Sequence, residues 1–357
     1  MTTNEILAKF ALPDGYTVTE TKQLNAGNIN RTYRVTMADG SRYILQNINT
    51  NVFRDPDGLM NNISGVCEHL KKKLPAGADP LRETMTFIKT ADGGHYFRDD
   101  EDRCWRMYVY IDADSYDSPT KPGLFGKAGK AFGDFQKKLA DYPADTLCET
   151  IPNFHNTPSR SRDFLNAVEH CALPERLNEA EKEISFLLER RDLASLATDR
   201  LKTGEIPLRV THNDTKLNNI LMDKQTGEGL CVIDLDTVMP GSLLYDFGDA
   251  IRFGANTAAE DEPDTSKISL STEKYAEVLN GFLEGIGDSI TDTEKKLLPS
   301  GAALLTYEQA MRFLGDYLNG DTYFKVNYDK HNLVRARAQI ALLADIEKKL
   351  PELEALG

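Results

Sequence analysis

From residue 16 onward the chain alternates between apolar and polar positions. Tyr16 to Leu24 reads as a strand, Asn25-Ala26-Gly27-Asn28 as the loop after it, and Thr32 to Met37 as a second strand. Ala38-Asp39-Gly40 then turns the chain and Ser41 to Ile48 alternates again, two runs about Asp-Gly that predict a hairpin. Leu59, Ile63, Val66 and Leu70 recur at i, i+4, i+7 and i+11, so Leu59 to Lys73 is predicted to be a helix. Met85 to Ile88 and His95 to Phe97 flank Asp92-Gly93-Gly94 and predict a second hairpin, and Cys104 to Ile111 forms a short apolar and aromatic strand.

The period changes after Asp112. Leu124, Ala128, Ala131, Phe132, Phe135 and Leu139 share one helical face. Asn178 to Lys202 reads as one long helix, with Gly204 at its C-terminal cap position. A short strand-rich patch follows over Pro207 to Ile233. Thr291-Asp292-Thr293-Glu294 fits a capping box before a further helix, and Asn332 to Leu350 is the last helix. These elements predict an α+β architecture: a small antiparallel β-rich lobe over 1–111 and a larger, mainly helical lobe over 112–357. The cleft between two such lobes is a natural ligand site.

Composition narrows the picture. The 357 residues carry a net charge of −14, which disfavours nucleic acid as a partner, since phosphate binding needs clustered Lys and Arg. No run approaches the ~20 apolar residues that span a bilayer, and Met1 to Phe10 lacks a signal-peptide pattern, so the expectation is a cytoplasmic monomer with no membrane partner. The cysteines are five and scattered without a C-x-x-C pair, which points to neither a disulfide framework nor a zinc site.

The candidate chemistry lies in Thr211-His212-Asn213-Asp214-Thr215-Lys216-Leu217-Asn218-Asn219-Ile220-Leu221. This contains H-x-D-x-x-x-x-N, and Val232-Ile233-Asp234-Leu235-Asp236 follows, with Asp234 20 residues after Asp214. Phosphoryl transfer asks a protein to position two oxygens and offset developing charge. Asp214 is suited to take the acceptor proton, while Asn219 and Asp234 offer hard oxygens for Mg²⁺. Read without function, the same residues make Asx-turns, and His212 reads as a hydrogen-bonded structural residue.

Longer stretches carry a resemblance. Arg209 to Met222, Ile233-Asp234-Leu235-Asp236-Thr237, Met239-Pro240-Gly241-Ser242 and Asp246-Phe247-Gly248-Asp249 resemble the aminoglycoside phosphotransferase family, the small-molecule relatives of protein kinases. Phe132 to Gln136, Met311 to Leu314 and His331 to Arg335 add to it, and the flanking text is most similar to the N-acetylhexosamine 1-kinases within that family. The resemblance covers nearly the whole chain. It implies a protein-kinase-like bilobal fold, ATP as co-substrate, Mg²⁺ on Asn219 and Asp234, and Asp214 as base. It implies a hinge over 105–111, where Val109, Tyr110 and Ile111 meet adenine, and a phosphate-covering loop carrying Asn28 and Asn30. Asn28 is assigned to ATP, and Asn30 to the acceptor. Arg312 and Tyr323 enter the acceptor site on the same ground. Asp316, one turn after Arg312, and Asp246 join them, although Asp246 and Asp249 also read as groups that hold the catalytic lobe together.

One position departs from the kinase pattern. Gln46 in Tyr43-Ile44-Leu45-Gln46-Asn47-Ile48 stands where the ATP-binding Lys is expected, and Ser64 stands near the place of its Glu partner, with Glu68 one turn later. A neutral Gln needs no Glu, donates hydrogen bonds and brings no charge. The expected activity is phosphorylation of the anomeric hydroxyl of an N-acetylhexosamine. The alternatives are a kinase for choline, homoserine or an aminoglycoside, a metal-dependent hydrolase built on Asp214, Asp234, Asp236, Asp246 and Asp249, and a silent nucleotide-binding module.

Overall fold

The computed structural model describes residues 1–24, 29–118 and 121–357. The chain forms two compact units. The first holds Met1–Ser115, Asp141–Pro152 and Ile220–Met239; the second holds Tyr116–Ala140, Asn153–Asn219 and Pro240–Gly357. The sequence expectation divided the chain after residue 111. The β-rich unit runs to Ser115 and takes in two later segments besides.

The first unit is built on an antiparallel sheet. Its strands are β1 (Val18–Leu24), β2 (Arg31–Met37), β3 (Arg42–Ile48), β4 (Phe87–Ile88), β5 (Phe97–Arg98) and β6 (Cys104–Val109), in the order β1-β2-β3-β6-β4 with β5 also on β6. Because side chains alternate, β6 sends Trp105 and Met107 to one face and Cys104, Arg106 and Tyr108 to the other. On the first face Trp105, Met107, Leu45, Val35 and Met37 are buried with Ile6 and Leu7 of the N-terminal helix α1 (Thr3–Leu7) and with Phe10. On the second face Arg106 reaches Met60 of helix α2 (Pro56–Lys72). A short helix α3 (Pro80–Glu83) precedes β4. The expected second hairpin is corrected. Thr90 and Gly94 do close a turn, but β4 and β5 do not pair with each other. Phe87 and Ile88 pair with Tyr108 and Met107, whereas Phe97 and Arg98 pair with Trp105 and Cys104. Two-residue segments hold little ladder of their own, and the longer edge of β6 offers both a template.

The hairpin of β8 (Ile220–Met222) and β9 (Gly229–Val232) belongs to this unit. Its first rung pairs Ile220 with Val232, leaving Asn219 one residue before it and Asp234 two residues after it. Asp234 sits in the left-handed region, φ 59°, and opens a 3₁₀ turn over Leu235–Thr237.

The second unit contains β7 (Arg209–Thr211) and helices α4 (Leu124–Lys138), α5 (Thr157–Glu169), α6 (Pro174–Glu179), α7 (Glu181–Leu188), α8 (Leu196–Thr203), α9 (Leu243–Gly254), α10 (Thr272–Ile286), α11 (Asp292–Leu318) and α12 (His331–Glu354). The single helix expected over 178–202 is instead three helices and a 3₁₀ turn. Tertiary contacts override local propensity there: Ala180 is fully buried where α6 meets α7, and the Arg190 guanidinium bonds the Phe186 carbonyl and Glu347 of α12. Gly204 ends α8 in the left-handed conformation, and Thr291 with Glu294 forms the capping box of α11, both as the sequence predicts. Among the described residues no helix is long and apolar enough to cross a membrane.

Helices α4 and α10 approach at glycines. A Cβ on Gly129 or Gly133 would collide with the backbone of Val278 or Phe282, and a Cβ on Gly281 or Gly285 with the backbone of Gly126 or Lys130. Backbone cannot retreat as a flexible side-chain tip can, so a methyl group here forces the helices apart. Gly285→Ala is expected to destabilise the protein by about 1–3 kcal/mol. Urea denaturation measures this; an unchanged midpoint would show that the pair tolerates separation.

Candidate active site

The loop after β7 is held by buried carboxylates on α9. Ser242 caps that helix, and Asp246 and Asp249 lie in its first two turns. The Asp246 carboxylate accepts from His212 N at 3.0 Å, from Asn213 N at 2.7 Å and from Gln136 Nε2 at 2.7 Å. Thr215 N donates to Asp249 Oδ2 at 3.0 Å, and Thr215 Oγ1 donates to the Asp246 carbonyl at 2.7 Å. Burial pushes the Asp246 carboxyl above the ordinary carboxylate value, against the pull of the His212 ring, the two backbone amides and Gln136. Asp246 is therefore a loop anchor with its acceptor positions occupied, and Asp249 is bound on its other side by Arg252 at 3.0 Å.

These bonds impose a sharp path on the loop. Asn213 takes φ 65°, a conformation Asn tolerates better than most residues. His212 is fully buried, edge-on to Phe132 and Phe135, and its Nδ1 accepts from Asp214 N at 3.3 Å. That is the structural role its sequence position suggests.

Asp214 projects from this frame, about a quarter exposed. Lys216 Nζ stands 2.6 Å from Asp214 Oδ1, and Asn219 Nδ2 donates to Asp214 Oδ2 at 3.1 Å and to the Asp214 carbonyl at 2.8 Å. Burial lowers the Lys216 ammonium, but the charge and hydrogen bond of Asp214, with the charge of Asp249, together outweigh it and the net shift is upward. A cavity of about 520 Å³ borders the Lys216 side of the loop; Phe125, Phe132, Phe253, Lys216 and Lys274 help line it.

On the other flank lies a cluster that sequence reasoning reached only in part. His155 Nε2 is 3.3 Å from the Asn213 carbonyl and its Nδ1 is 2.7 Å from Glu308 Oε1. Thr157 Oγ1 donates to Glu308 Oε2 at 2.6 Å. Burial raises the Glu308 carboxyl, yet His155, Arg312 and Thr157 together hold it below its ordinary value. Arg312 donates to Gln309 Oε1 at 3.1 Å and lies 5.5–6.0 Å from the rings of Phe154, Tyr323 and Phe324. Burial and the Arg312 charge push Arg160 down, the mark of two close cations. Asp316 does not face Arg312 as a free carboxylate. It accepts from the backbone amides of Thr322, Tyr323 and Phe324 and from Asn332 Nδ2, and so fixes the loop that presents Tyr323, 68% exposed. His155, Arg160 and Glu308 lie in no motif, and only their convergence on Asn213 and Arg312 reveals them.

In the first unit, Gln46 Nε2 donates to Thr32 Oγ1 at 3.0 Å and its Oε1 accepts from Arg106 Nε at 3.0 Å and Nη2 at 2.8 Å. Asn30 Nδ2 donates to Asp236 Oδ2 at 2.6 Å, and its Oδ1 accepts from Asn49 N at 2.9 Å. Ser64 pairs with His95, and Glu68 with Lys71 at the surface, so neither serves Gln46. At the end of β6 the Val109 amide donates to Thr86 O and the Tyr110 amide to Arg42 O, while Ile111 is buried. Asn28 lies outside the described residues. Asp234 belongs to this unit and Asn219 to the other. Among the described residues no cluster of three or more His, Cys, Asp or Glu side chains is arranged to hold a metal ion.

The chain belongs to the phosphotransferase enzyme family, whose sequence profile matches residues 20–275. Solved structures with the same protein-kinase-like fold include a microcompartment-associated aminopropanol kinase (16% identity, TM-score 0.62, covering 98% of this chain and 97% of that one). An amicoumacin kinase in complex with AMP-PNP, Ca²⁺ and Ami matches at 14% identity and TM-score 0.60, over 98% of this chain and 94% of that one. A choline kinase from Cryptosporidium parvum matches at 13% identity and TM-score 0.58, over 98% and 97%. At these identities the likeness establishes the fold.

The buried Glu308 carboxylate carries a pH dependence. Its folded-state value lies below the unfolded 4.5, so its stabilisation is present above pH 4.5 and is lost as pH falls through the lowered value. Glu308→Gln, which removes the carboxylate that His155 and Thr157 meet, is expected to lose about 1–3 kcal/mol at neutral pH. Urea denaturation should show that deficit shrinking in acid; a deficit independent of pH would rule out the charge as its source.

Proposed function

We propose that this chain is an ATP-dependent kinase that phosphorylates the anomeric hydroxyl of an N-acetylhexosamine, giving the α-1-phosphate. The observation that carries the kinase reading is the Asp214 carboxylate, held from one side by Lys216 Nζ and from the other by Asn219 Nδ2 on a loop anchored by Asp246. Asp214 takes the acceptor proton as the oxygen–phosphorus bond forms, and Lys216 keeps the carboxylate oriented for it. Asn219 and Asp234 would hold Mg²⁺, which would supply charge to offset that of the phosphoryl group. Asn28, Gln46 and the end of β6, Val109 to Ile111, are the nucleotide residues on this reading, and Asn30 is assigned to the acceptor. Thr86 already takes the Val109 amide, so the adenine edge falls to other backbone groups of that segment.

The acceptor chemistry rests on the His155–Glu308–Arg312 flank. Arg312 places a cation among the rings of Phe154, Tyr323 and Phe324, and an aminated acceptor such as choline, an aminopropanol or an aminoglycoside would meet it unfavourably. A neutral sugar meets donors for its hydroxyls and, at Tyr323, Phe154 and Phe324, rings for its apolar face. Asp316 and Asp246 act behind this surface, by fixing the Tyr323 loop and the catalytic loop. A hydrolase built on the five aspartates is disfavoured, because Asp246 and Asp249 are committed to backbone amides and to Arg252.

ATP consumption with Mg²⁺ is to be measured against GlcNAc, GalNAc, glucose, galactose, choline, homoserine and kanamycin, with phosphorus NMR of the product. A GlcNAc or GalNAc 1-phosphate signal is the expected outcome, whereas turnover of choline, homoserine or kanamycin alone would discard the sugar acceptor. Asp214→Asn is expected to lower kcat about 10²–10⁴-fold while leaving MgATP affinity intact. Turnover close to wild type would remove Asp214 as the base.

A further inference from the structure

The sheet of the first unit contains a buried cation that no motif announces. Arg106 lies directly opposite Gln46 in the β3–β6 ladder, and Thr32 lies opposite Gln46 in the β2–β3 ladder. Directly opposed residues share a face, so Thr32, Gln46 and Arg106 form one row across three strands. Gln46 faces its oxygen to Arg106, receiving two guanidinium N–H groups, and its nitrogen to Thr32. A lysine at position 46 would set two cations side by side; a glutamine accepts from the arginine instead.

The far side of the guanidinium meets the acidic segment that follows β9. Arg106 Nη1 stands 2.6 Å from Asp236 Oδ1, a close charge contact, and Arg106 is only 2% exposed. Asp236 is fixed elsewhere as well: Oδ2 accepts from Asn30 Nδ2, and its carbonyl accepts from Thr150 Oγ1 at 2.9 Å. Asn62 of α2 donates to the Val238 carbonyl at 3.0 Å, two residues on. Burial disfavours the Arg106 charge, but Asp236 and, at longer range, Asp234 outweigh it and hold the guanidinium above its ordinary value. An uncompensated charge in such a place would cost several kcal/mol. Arg106 and the acidic segment therefore require one another.

We propose that Arg106 replaces the lysine missing at position 46, as a positioning residue that supplies the buried positive charge for the nucleotide site. The charge has moved one strand across the sheet, from β3 to β6, with Gln46 as its neutral cradle. Its work is to hold Asp236, and through it the backbone next to Asp234 and the Asn30 end of the loop ahead of β2. This inference rests on the kinase reading above and names a residue that reading does not use.

The experiment compares wild type, Arg106→Lys, Arg106→Gln and the charge-neutral pair Arg106→Gln/Asp236→Asn, which guards against a single variant that does not fold. Thermal unfolding selects the folded variants. Isothermal calorimetry with MgATP and, separately, with GlcNAc measures binding, and steady-state kinetics separates KM for ATP from kcat. For Arg106→Gln and the pair, MgATP affinity is expected to fall at least tenfold, with GlcNAc affinity unchanged. Arg106→Lys is expected to retain more MgATP affinity than Arg106→Gln. Equal MgATP affinity in wild type and the folded neutral variants would overturn the proposal alone. Parallel loss of MgATP and GlcNAc binding, tracking the fall in melting temperature, would also overturn it, by reducing Arg106 to a general packing role. A wild-type chain that binds no MgATP would overturn the kinase reading and this proposal with it.

Discussion

The buried carboxylate of Asp246 is the constraint on which the loop carrying Asp214 depends. A charge without solvent must be fully hydrogen-bonded, and the donors available to it include the backbone amides of His212 and Asn213. Those bonds turn the loop through the left-handed conformation at Asn213, which directs Asp214 outward. Asp249 repeats the device two residues later through Thr215 N. The Asp214 carboxylate is thus positioned by two buried carboxylates on α9. The same Asn213 carbonyl is met by His155, so the loop that orients Asp214 also anchors the Glu308–Arg312 flank.

The first unit obeys the same rule with the opposite sign. Arg106 is buried; Gln46 from the neighbouring strand accepts two of its N–H groups, and Asp236 from the segment after β9 meets its charge. Removing one member of such a network leaves the others buried without their partner. That explains how a sheet can lack a lysine on β3 and still keep a cation on that face.

The helical unit gains rigidity by a different route. Glycines let α4 approach α10, and Gln136 of α4 then reaches both Asp246 and the Val210 carbonyl. Helix packing and loop geometry are in this way one problem. The side chain that braces the anchor of the Asp214 loop belongs to a helix whose placement is set by residues without side chains.

Strong local patterns determined much of this protein from sequence alone. The β1–β3 meander, the capping box at Thr291, the Gly204 cap and the placement of Asp214, Lys216 and Asn219 on one loop follow from alternation, from turn chemistry and from fixed short spacings. Within a few residues the backbone leaves few alternatives. Gln46 stood out as a departure only against the family resemblance, which puts a lysine there. Tertiary structure alone decided what depends on distant partners. β4 and β5 pair with β6 and not with each other, because a longer edge was available. The helix expected over 178–202 breaks at Ala180 and Arg190, because burial and Glu347 act there. Arg106 opposite Gln46 is 60 residues away in the chain, and His155 reaches Glu308 across 153. Such pairs leave no periodic mark in either segment, since the energy that selects them is realised only once the chain has folded and excluded the water that would otherwise solvate each group alone.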